Sequence, residues 1–281
     1  MRCRPATPSE ALESLEVNTK PPTDAPIPAP PHPQQRREPL PGQTPKPAQD
    51  DPYAPARVAT LVASESYRRA DQDLDFIAKD GVRGVRLQID YLKPEMLLRE
   101  HGVRNTIVVF GSARLPEPDV ARRLVEALKS ALAVDPSSQN AARRLAVAER
   151  MLERSHYYEV AREFGRLVSA SQTISGEPNA VIVTGGGPGI MEAANRGAFD
   201  IGAKSIGLNI GLPREQYPNP YISPELCFQF HYFAMRKLHF LLRAKALVAF
   251  PGGYGTFDEL FEVLTLTQTR KITPMPVVLV G

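Results

Sequence analysis

The sequence predicts an α/β fold, a Rossmann-like, doubly wound parallel sheet with an N-terminal helical extension. Two observations predict it. Short, continuous apolar runs such as "TIVVF" and "KALVAF" alternate with helix-length amphipathic segments, the pattern of a parallel sheet buried on both faces. Three strands end in glycine-bearing turns, "FGSAR", "TGGGPG" and "PGGYGT". In such a fold ligands gather at the carboxyl ends of the strands, so those turns mark the expected site.

The elements follow in order. Residues 1–56 hold 15 of the chain's 28 prolines and almost no aromatics. Such a segment cannot bury enough apolar surface to offset its ordering entropy, and it is expected to be a disordered tail. Residues 57–103 carry apolar side chains at mixed three- and four-residue spacings, which predicts a helical extension of two helices. Residues 104–281 form the α/β domain. It begins with the strand "TIVVFGSAR" and a helix near Pro118–Val134, followed by a break at "PSSQN" and one long amphipathic segment from about Ala141 to Ser169. "AVIVTGGGPGIMEAANRGAFDIG" reads as strand, turn and helix, and "KSIGLNIGLP" and "LCFQFH" as strands. "YFAMRKLHFLLRA" is a helix, "KALVAF" a strand, "TFDELFEVLTLTQTR" a helix and "MPVVLVG" a last strand. Because no closing helix follows that strand, a C-terminal truncation is expected.

Composition excludes several function classes. The tail carries six Lys and Arg against seven Asp and Glu, which argues against a basic nucleic-acid-binding arm. The start lacks the apolar stretch of a secretory signal, and no run approaches a membrane span, so no membrane partner is expected. Cys3 and Cys227 make neither a disulfide framework nor a metal cluster, and a cytoplasmic setting is expected. His32, His101, His156, His231 and His239 show no zinc-type spacing, so no metal site is assigned.

Glycine lets main-chain N–H groups approach a ligand, and the positive end of a helix dipole favours an anion there. "PGGYGT" and "TGGGPGIME" both join a strand to a helix, the context that a phosphate site requires. Neither is a Walker A loop, since no Lys-Ser/Thr pair follows. The dinucleotide fingerprint fails too, because position 190 is Ile190. Plain tight turns explain any one loop; three at one sheet edge favour a phosphate-bearing ligand.

Thr256 and Glu259 also fit a capping box, with the threonine as N-cap and the glutamate reaching back. Asp258 and Glu262 then read as ordinary first-turn acids favoured by the dipole. Upstream, Arg236 and Lys237 stand near the start of the helix that feeds the "ALVAF" strand, pointing about 100° apart. Arg offers a planar fork of donors and Lys a compact charge; both suit a phosphorylated ligand, and a solvated pair is the plain alternative. The run Phe228, Phe230, Tyr232 and Phe233 spans a strand end and a helix start, which favours core over a base-stacking platform.

These motifs resemble those of the LOG ("Lonely Guy") family, often labelled "possible lysine decarboxylase". "PGGYGTFDE" matches PGGxGTxxE, "MRK" resembles the Arg-Lys motif at its usual distance, and "VVFGSAR" and "VTGGGPGIMEAANRGA" resemble the first two glycine loops. The resemblance covers roughly residues 104–281, and the long N-terminal segment is similar to the longer LOG-like proteins. It implies a phosphoribohydrolase that cleaves the N-glycosidic bond of cytokinin riboside 5′-monophosphates, and often AMP, to free base and ribose 5-phosphate. It implies Arg236 and Glu259 as the catalytic pair, and Gly252, Gly253, Gly255 and Thr256 as the 5′-phosphate cradle. Lys237 and Thr265 fall near the nucleotide, and Gly111, Ser112, Gly186 and Gly187 become substrate contacts from the first two loops.

The family's sites form at a dimer interface, which implies a homo-oligomer, and no cofactor is implied. The stretch "FHYFA" departs from the polar residues usual before the Arg-Lys motif, so the base preference is expected to lie around Phe230, Tyr232, Phe233 and Met235. A pyridoxal-phosphate decarboxylase would need a supported Schiff-base lysine, and Lys237 is a poor candidate. An AMP nucleosidase without a cytokinin role and a non-catalytic nucleotide-binding protein are the remaining alternatives.

Overall fold

A computed structural model of the chain describes residues 42, 44–171, 180–211 and 217–281. Most of the expected disordered tail, with Cys3, lies outside those residues. The chain divides into two compact units, Met1–Arg69 and Ala70–Gly281. The described part of the first holds helix α1 (Ala54–Val62), which starts inside the segment expected to be tail.

In the second unit the extension breaks up more than its apolar spacing suggests. Helix α2 (Leu74–Ala78) is short and starts at Asp73, whose carboxylate accepts a hydrogen bond from the Phe76 N–H. Helix α3 (Arg83–Glu100) then runs through Pro94, whose ring is buried. The polar stretch "SESYRRADQD" carries no apolar stripe to hold one continuous helix, and the Asp73 cap restarts it.

The sheet contains β1 (Thr106–Phe110), β2 (Val181–Thr184), β3 (Ser205–Ile210), β4 (Cys227–Phe230), β5 (Ala244–Ala249) and β6 (Val277–Leu279). Every pairing is parallel, in the order β4-β3-β2-β1-β5-β6. The helices of this domain are α4 (Pro118–Val134), α5 (Gln139–Arg154), α6 (His156–Ala170), α7 (Ile190–Phe199), α8 (Phe233–Leu242) and α9 (Tyr254–Gln268). The long segment expected from Ala141 to Ser169 divides at Ser155, whose buried hydroxyl donates to the Leu152 carbonyl and ends α5.

Alternation along the strands makes the two faces. Val108, Phe110, Leu247 and Ala249 pack with Leu98, Phe240, Leu260 and Val263, so α3, α8 and α9 cover one face. Val109, Ile182, Val248 and Phe250 pack with Tyr158, Ala161, Ala193 and Ala194, so α6 and α7 cover the other. Helices α4 and α5 share a small cluster of Val125, Leu128 and Ala148.

The chain builds outward from β1 in one direction through β2, β3 and β4, and in the other through β5 and β6. The switch point is therefore the crevice between the carboxyl ends of β1 and β5. The turns "FGSAR" and "PGGYGT" flank it directly, and "TGGGPG" lies next to them at the end of β2.

Candidate active site

Main-chain hydrogen bonds tie the three glycine turns together. The Phe250 N–H donates to the Phe110 carbonyl at 2.8 Å, Ser112 N–H to Pro251 at 3.0 Å, and Ile190 N–H to Ser112 at 3.1 Å. Ser112 thus spends both main-chain groups on its neighbours, while its Oγ accepts from the Arg114 N–H. A Cβ at Gly111 would sit 2.6 Å from Ile190, so the first turn is bare because the second packs on it.

In the second turn Gly186 takes a φ of +74°, the left-handed conformation that glycine accepts without strain. Gly186 and Gly187 are buried, and Asn219 holds their carbonyls, through its N–H at 2.8 Å and its side-chain amide at 3.1 Å.

The third turn corrects the capping-box reading. Helix α9 begins at Tyr254 with Gly253 as its N-cap, and no side chain caps it. Thr256 is already the third helical residue and Glu259 the sixth; a capping box needs them at the N-cap and N3. The Gly253 carbonyl accepts the Thr256 and Phe257 N–H groups, which pulls the start of the helix back into the glycines. The first turn consequently holds no acid, so the dipole account of Asp258 and Glu262 fails as well. Both instead pair with Lys237, at 2.9 and 3.0 Å.

None of Gly252, Gly253 and Gly255 has a positive φ. Gly252 is required because a Cβ there would collide with the Thr256 side chain. Gly253 and Gly255 face open space. A helix N-terminus with no side-chain cap and room in front of its amides suits an anion.

Arg236 and Lys237 diverge as adjacent helical residues should. Lys237 reaches across to α9. Arg236 turns to the strand ends, donating from Nε to the Leu208 carbonyl at 2.6 Å and from Nη2 to Gly185 at 3.5 Å, with its guanidinium 5.3 Å from the centre of the Phe240 ring. Burial lowers the Arg236 pKa, and the charge of Glu259 opposes that shift. Burial raises the Glu259 carboxyl to about 7, against the pull of Lys237 and Arg236. For Lys237, burial alone would lower the ammonium, but Asp258 and Glu262 outweigh it and the net shift is upward. Two carboxylates that hold a proton on Lys237 oppose the neutral amine that a Schiff base needs.

Other sequence expectations fare differently. Thr265 is exposed, its hydroxyl bonded to the Phe261 carbonyl. It stands nine residues beyond Thr256, about 14 Å along the axis, so one chain does not bring it to the third turn. Phe230, Tyr232, Phe233 and Met235, the residues expected around the base, differ in their settings. Phe228 and Phe230 are core, Met235 packs partly against that core, the Tyr232 hydroxyl takes a hydrogen bond from Arg86, and only Phe233 is well exposed. Strand alternation explains this, since Phe228 and Phe230 share the face that α8 covers.

Two groups of residues around the site carry no sequence motif. From α3, Asp90 accepts the His231 and Tyr232 N–H groups at the start of α8, and Glu95 pairs through both oxygens with Arg243 just beyond its end. Thr184, Asn195 and Asn219 form a buried polar network under the second turn. Asn195, in line with the small residues Ala193, Ala194, Gly197 and Ala198 of "EAANRGA", was a signal available for it.

Residues 191–281 match the family model described as "Possible lysine decarboxylase". The chain is similar to the cytokinin riboside 5′-monophosphate phosphoribohydrolase LOG2 of Arabidopsis thaliana, 34% identical over 33% of this chain and 43% of that protein. It is also similar to the probable cytokinin riboside 5′-monophosphate phosphoribohydrolase LOGL5 of Oryza sativa subsp. japonica, 33% identical over 32% of this chain and 36% of that protein. The matched stretch spans less than half the length of either relative. A solved structure designated TM1055 shares 21% identity over 62% of this chain and 72% of its own, at a TM-score of 0.37, a likeness too loose to bear on the site. The stretch matched by the family model, residues 191–281, contains Arg236, Lys237, the PGGYGT turn and Glu259.

Proposed function

We propose that the chain is a phosphoribohydrolase that splits a purine nucleoside 5′-monophosphate, a cytokinin riboside 5′-monophosphate or AMP, into free base and ribose 5-phosphate. The observation that carries this reading is the placement of Glu259, a half-buried carboxyl with a pKa near 7, on the helix whose uncapped N-terminus lies at the switch point. The 5′-phosphate binds the amides around Gly253 and Gly255 with Thr256, which supplies remote binding energy for the scissile bond. The C1′–N9 bond breaks toward an oxocarbenium-like state that the Glu259 carboxylate stabilises. Glu259 then takes a proton from water as the water oxygen bonds to C1′, and that proton passes on to the departing base, which leaves neutral and restores the carboxylate. Arg236 and Glu259 act on each other through their charges, and in this reading Arg236 orients Glu259 or the ribose.

A second copy of the chain belongs to this proposal. Tyr254 (95% exposed), Phe257, Phe261 and Leu264 form an apolar stripe along α9 beside the site, and Thr265 lies next to it. A paired α9 would cover the stripe and bring Thr265 toward a neighbouring nucleotide. The cytoplasmic setting belongs to the proposal too; among the described residues no helix is long and apolar enough to cross a membrane.

The test is incubation of the purified protein with AMP and with isopentenyladenosine monophosphate, free base being followed by chromatography, with Glu259→Gln alongside. Base released by the parent and not by the variant supports the hydrolase, and the ratio of the two rates separates a cytokinin-activating enzyme from an AMP nucleosidase. A folded parent that binds AMP and releases no base from either nucleotide is a nucleotide-binding protein, and the reading fails.

A further inference from the structure

The buried network of Thr184, Asn195 and Asn219 has no counterpart in the catalytic scheme, yet it braces the second glycine turn and β3, the two segments whose carbonyls accept from Arg236. Thr184 and Asn195 are completely buried, and Asn219 nearly so. Thr184 Oγ1, at the end of β2, donates to Asn195 Oδ1 at 2.7 Å and accepts from the Gly186 N–H at 3.0 Å. Asn195, on α7, also accepts from Asn219 Nδ2 at 3.0 Å and donates to the Ile206 carbonyl of β3 at 3.3 Å. Asn219 holds the Gly186 and Gly187 carbonyls, and its own Oδ1 accepts the Tyr221 N–H.

Such a network is an odd way to fill a core. Each polar group loses its water, and the net return of one hydrogen bond is only about 1 kcal/mol. What a satisfied network specifies is shape. Here it fixes two surfaces. One is the Gly185–Gly187 turn, where a Cβ at Gly185 would lie 2.5 Å from Arg236 Nη2. The other is β3, where Asn195 grips the Ile206 carbonyl two residues before Leu208, whose own carbonyl accepts Arg236 Nε. Both floors of the guanidinium are set by the same three side chains.

We infer that Thr184, Asn195 and Asn219 are positioning residues for Arg236, acting through the second glycine turn and the end of β3 rather than by touching substrate. This rests on the phosphoribohydrolase reading for its kinetic consequence, not for its geometry. Thr184→Val keeps the shape and removes the hydroxyl, leaving the Gly186 N–H without its acceptor; Thr184→Ser keeps the hydroxyl. Displacing a site group by up to about 1 Å is enough to lose about ten- to a hundredfold in rate.

The experiment measures kcat and KM for AMP, together with affinity for ribose 5-phosphate, in the parent, Thr184→Val, Thr184→Ser, Arg236→Ala and the Thr184→Val/Arg236→Ala double variant. Expected are a fall in kcat of about ten- to a hundredfold for Thr184→Val, ribose 5-phosphate affinity within about twofold of the parent, recovery in Thr184→Ser, and a double variant no worse than Arg236→Ala alone. Additive losses, a parent-like Thr184→Val, or no recovery in Thr184→Ser would overturn the inference. Should Thr184→Val fail to fold, Asn219→Ala replaces it, judged by its kcat and by the same cycle with Arg236→Ala. If the parent releases no base, the hydrolase reading has failed by itself. The cycle is then read on AMP affinity, where non-additivity supports positioning and additivity overturns it.

Discussion

At the scale of single residues, Glu259 connects chemistry to stability. Its carboxyl ionises near 7 when folded, because burial outweighs the two nearby cations, and at the ordinary 4.5 when unfolded. The folded state therefore holds the proton more tightly. Its contribution to stability falls as pH rises from about 4.5 to about 7 and is constant beyond, while the carboxylate needed for catalysis appears over the upper part of that range. Glu259→Gln should accordingly abolish base release, keep AMP binding, and gain about 1–3 kcal/mol of stability at pH 8, measured by denaturant melts at pH 5 and pH 8. A variant no more stable than the parent at pH 8 would mean that the carboxyl is not strained by burial. Lys237 adds a second check. Its charge lowers the Glu259 pKa, so Lys237→Met should move the rising limb of the kcat/KM profile above pH 7. An unmoved limb assigns that ionisation to another group.

At the scale of elements, the start of α9 separates a structural glycine from a ligand-facing one. Gly255 lies inside the helix with open space where a Cβ would be. Gly255→Ala should therefore stabilise the fold by about 0.4–1 kcal/mol, while weakening ribose 5-phosphate binding by tenfold or more as a methyl enters the anion's space. Stabilisation with unchanged binding, read by thermal melts and calorimetry, would remove the phosphate from this helix end. Helix α3 makes the other element-level prediction. Glu95 is held below its ordinary pKa chiefly by its hydrogen bond to Arg243, and both side chains are largely shielded. The contribution of that pair is present above about pH 4.5 and is lost as pH falls through the depressed folded value. Glu95→Ala leaves the guanidinium partly unpaired and should cost about 2–4 kcal/mol in chemical denaturation. A cost below 1 kcal/mol would make the extension a passive passenger on α8.

At the scale of the whole molecule, the apolar stripe on α9 predicts association. Phe261→Asp places a charge in its middle and should shift the protein toward monomer in sedimentation or light scattering, with a fall in activity that follows the monomer fraction. A parent that is monomeric at micromolar concentration, or a monomeric variant with full activity, would confine the site to one chain.

How much of this was legible depended on the range of the interactions involved. Strand alternation, glycine turns and the helix-length segments are local patterns, and they gave the α/β class, the six strands and the sheet edge that holds the site. The start of α9 was misplaced because Gly253 contributes through its carbonyl, which leaves no mark in a side-chain pattern, whereas T-x-x-E does. The aromatic run read as core because period two and period 3.6 meet there, and α8 covers the face on which Phe228 and Phe230 lie. By itself the sequence determined which residues stand at the ends of which strands, since that follows from periodicity and turn chemistry along a few consecutive residues. Only the tertiary structure decided that Lys237 belongs to Asp258 and Glu262, that Glu259 is buried enough to ionise near neutrality, and that Thr184, Asn195 and Asn219 brace the turn and strand to which Arg236 bonds. Those facts depend on contacts across many residues of chain, and burial of charge exists only once the helices have packed against the sheet.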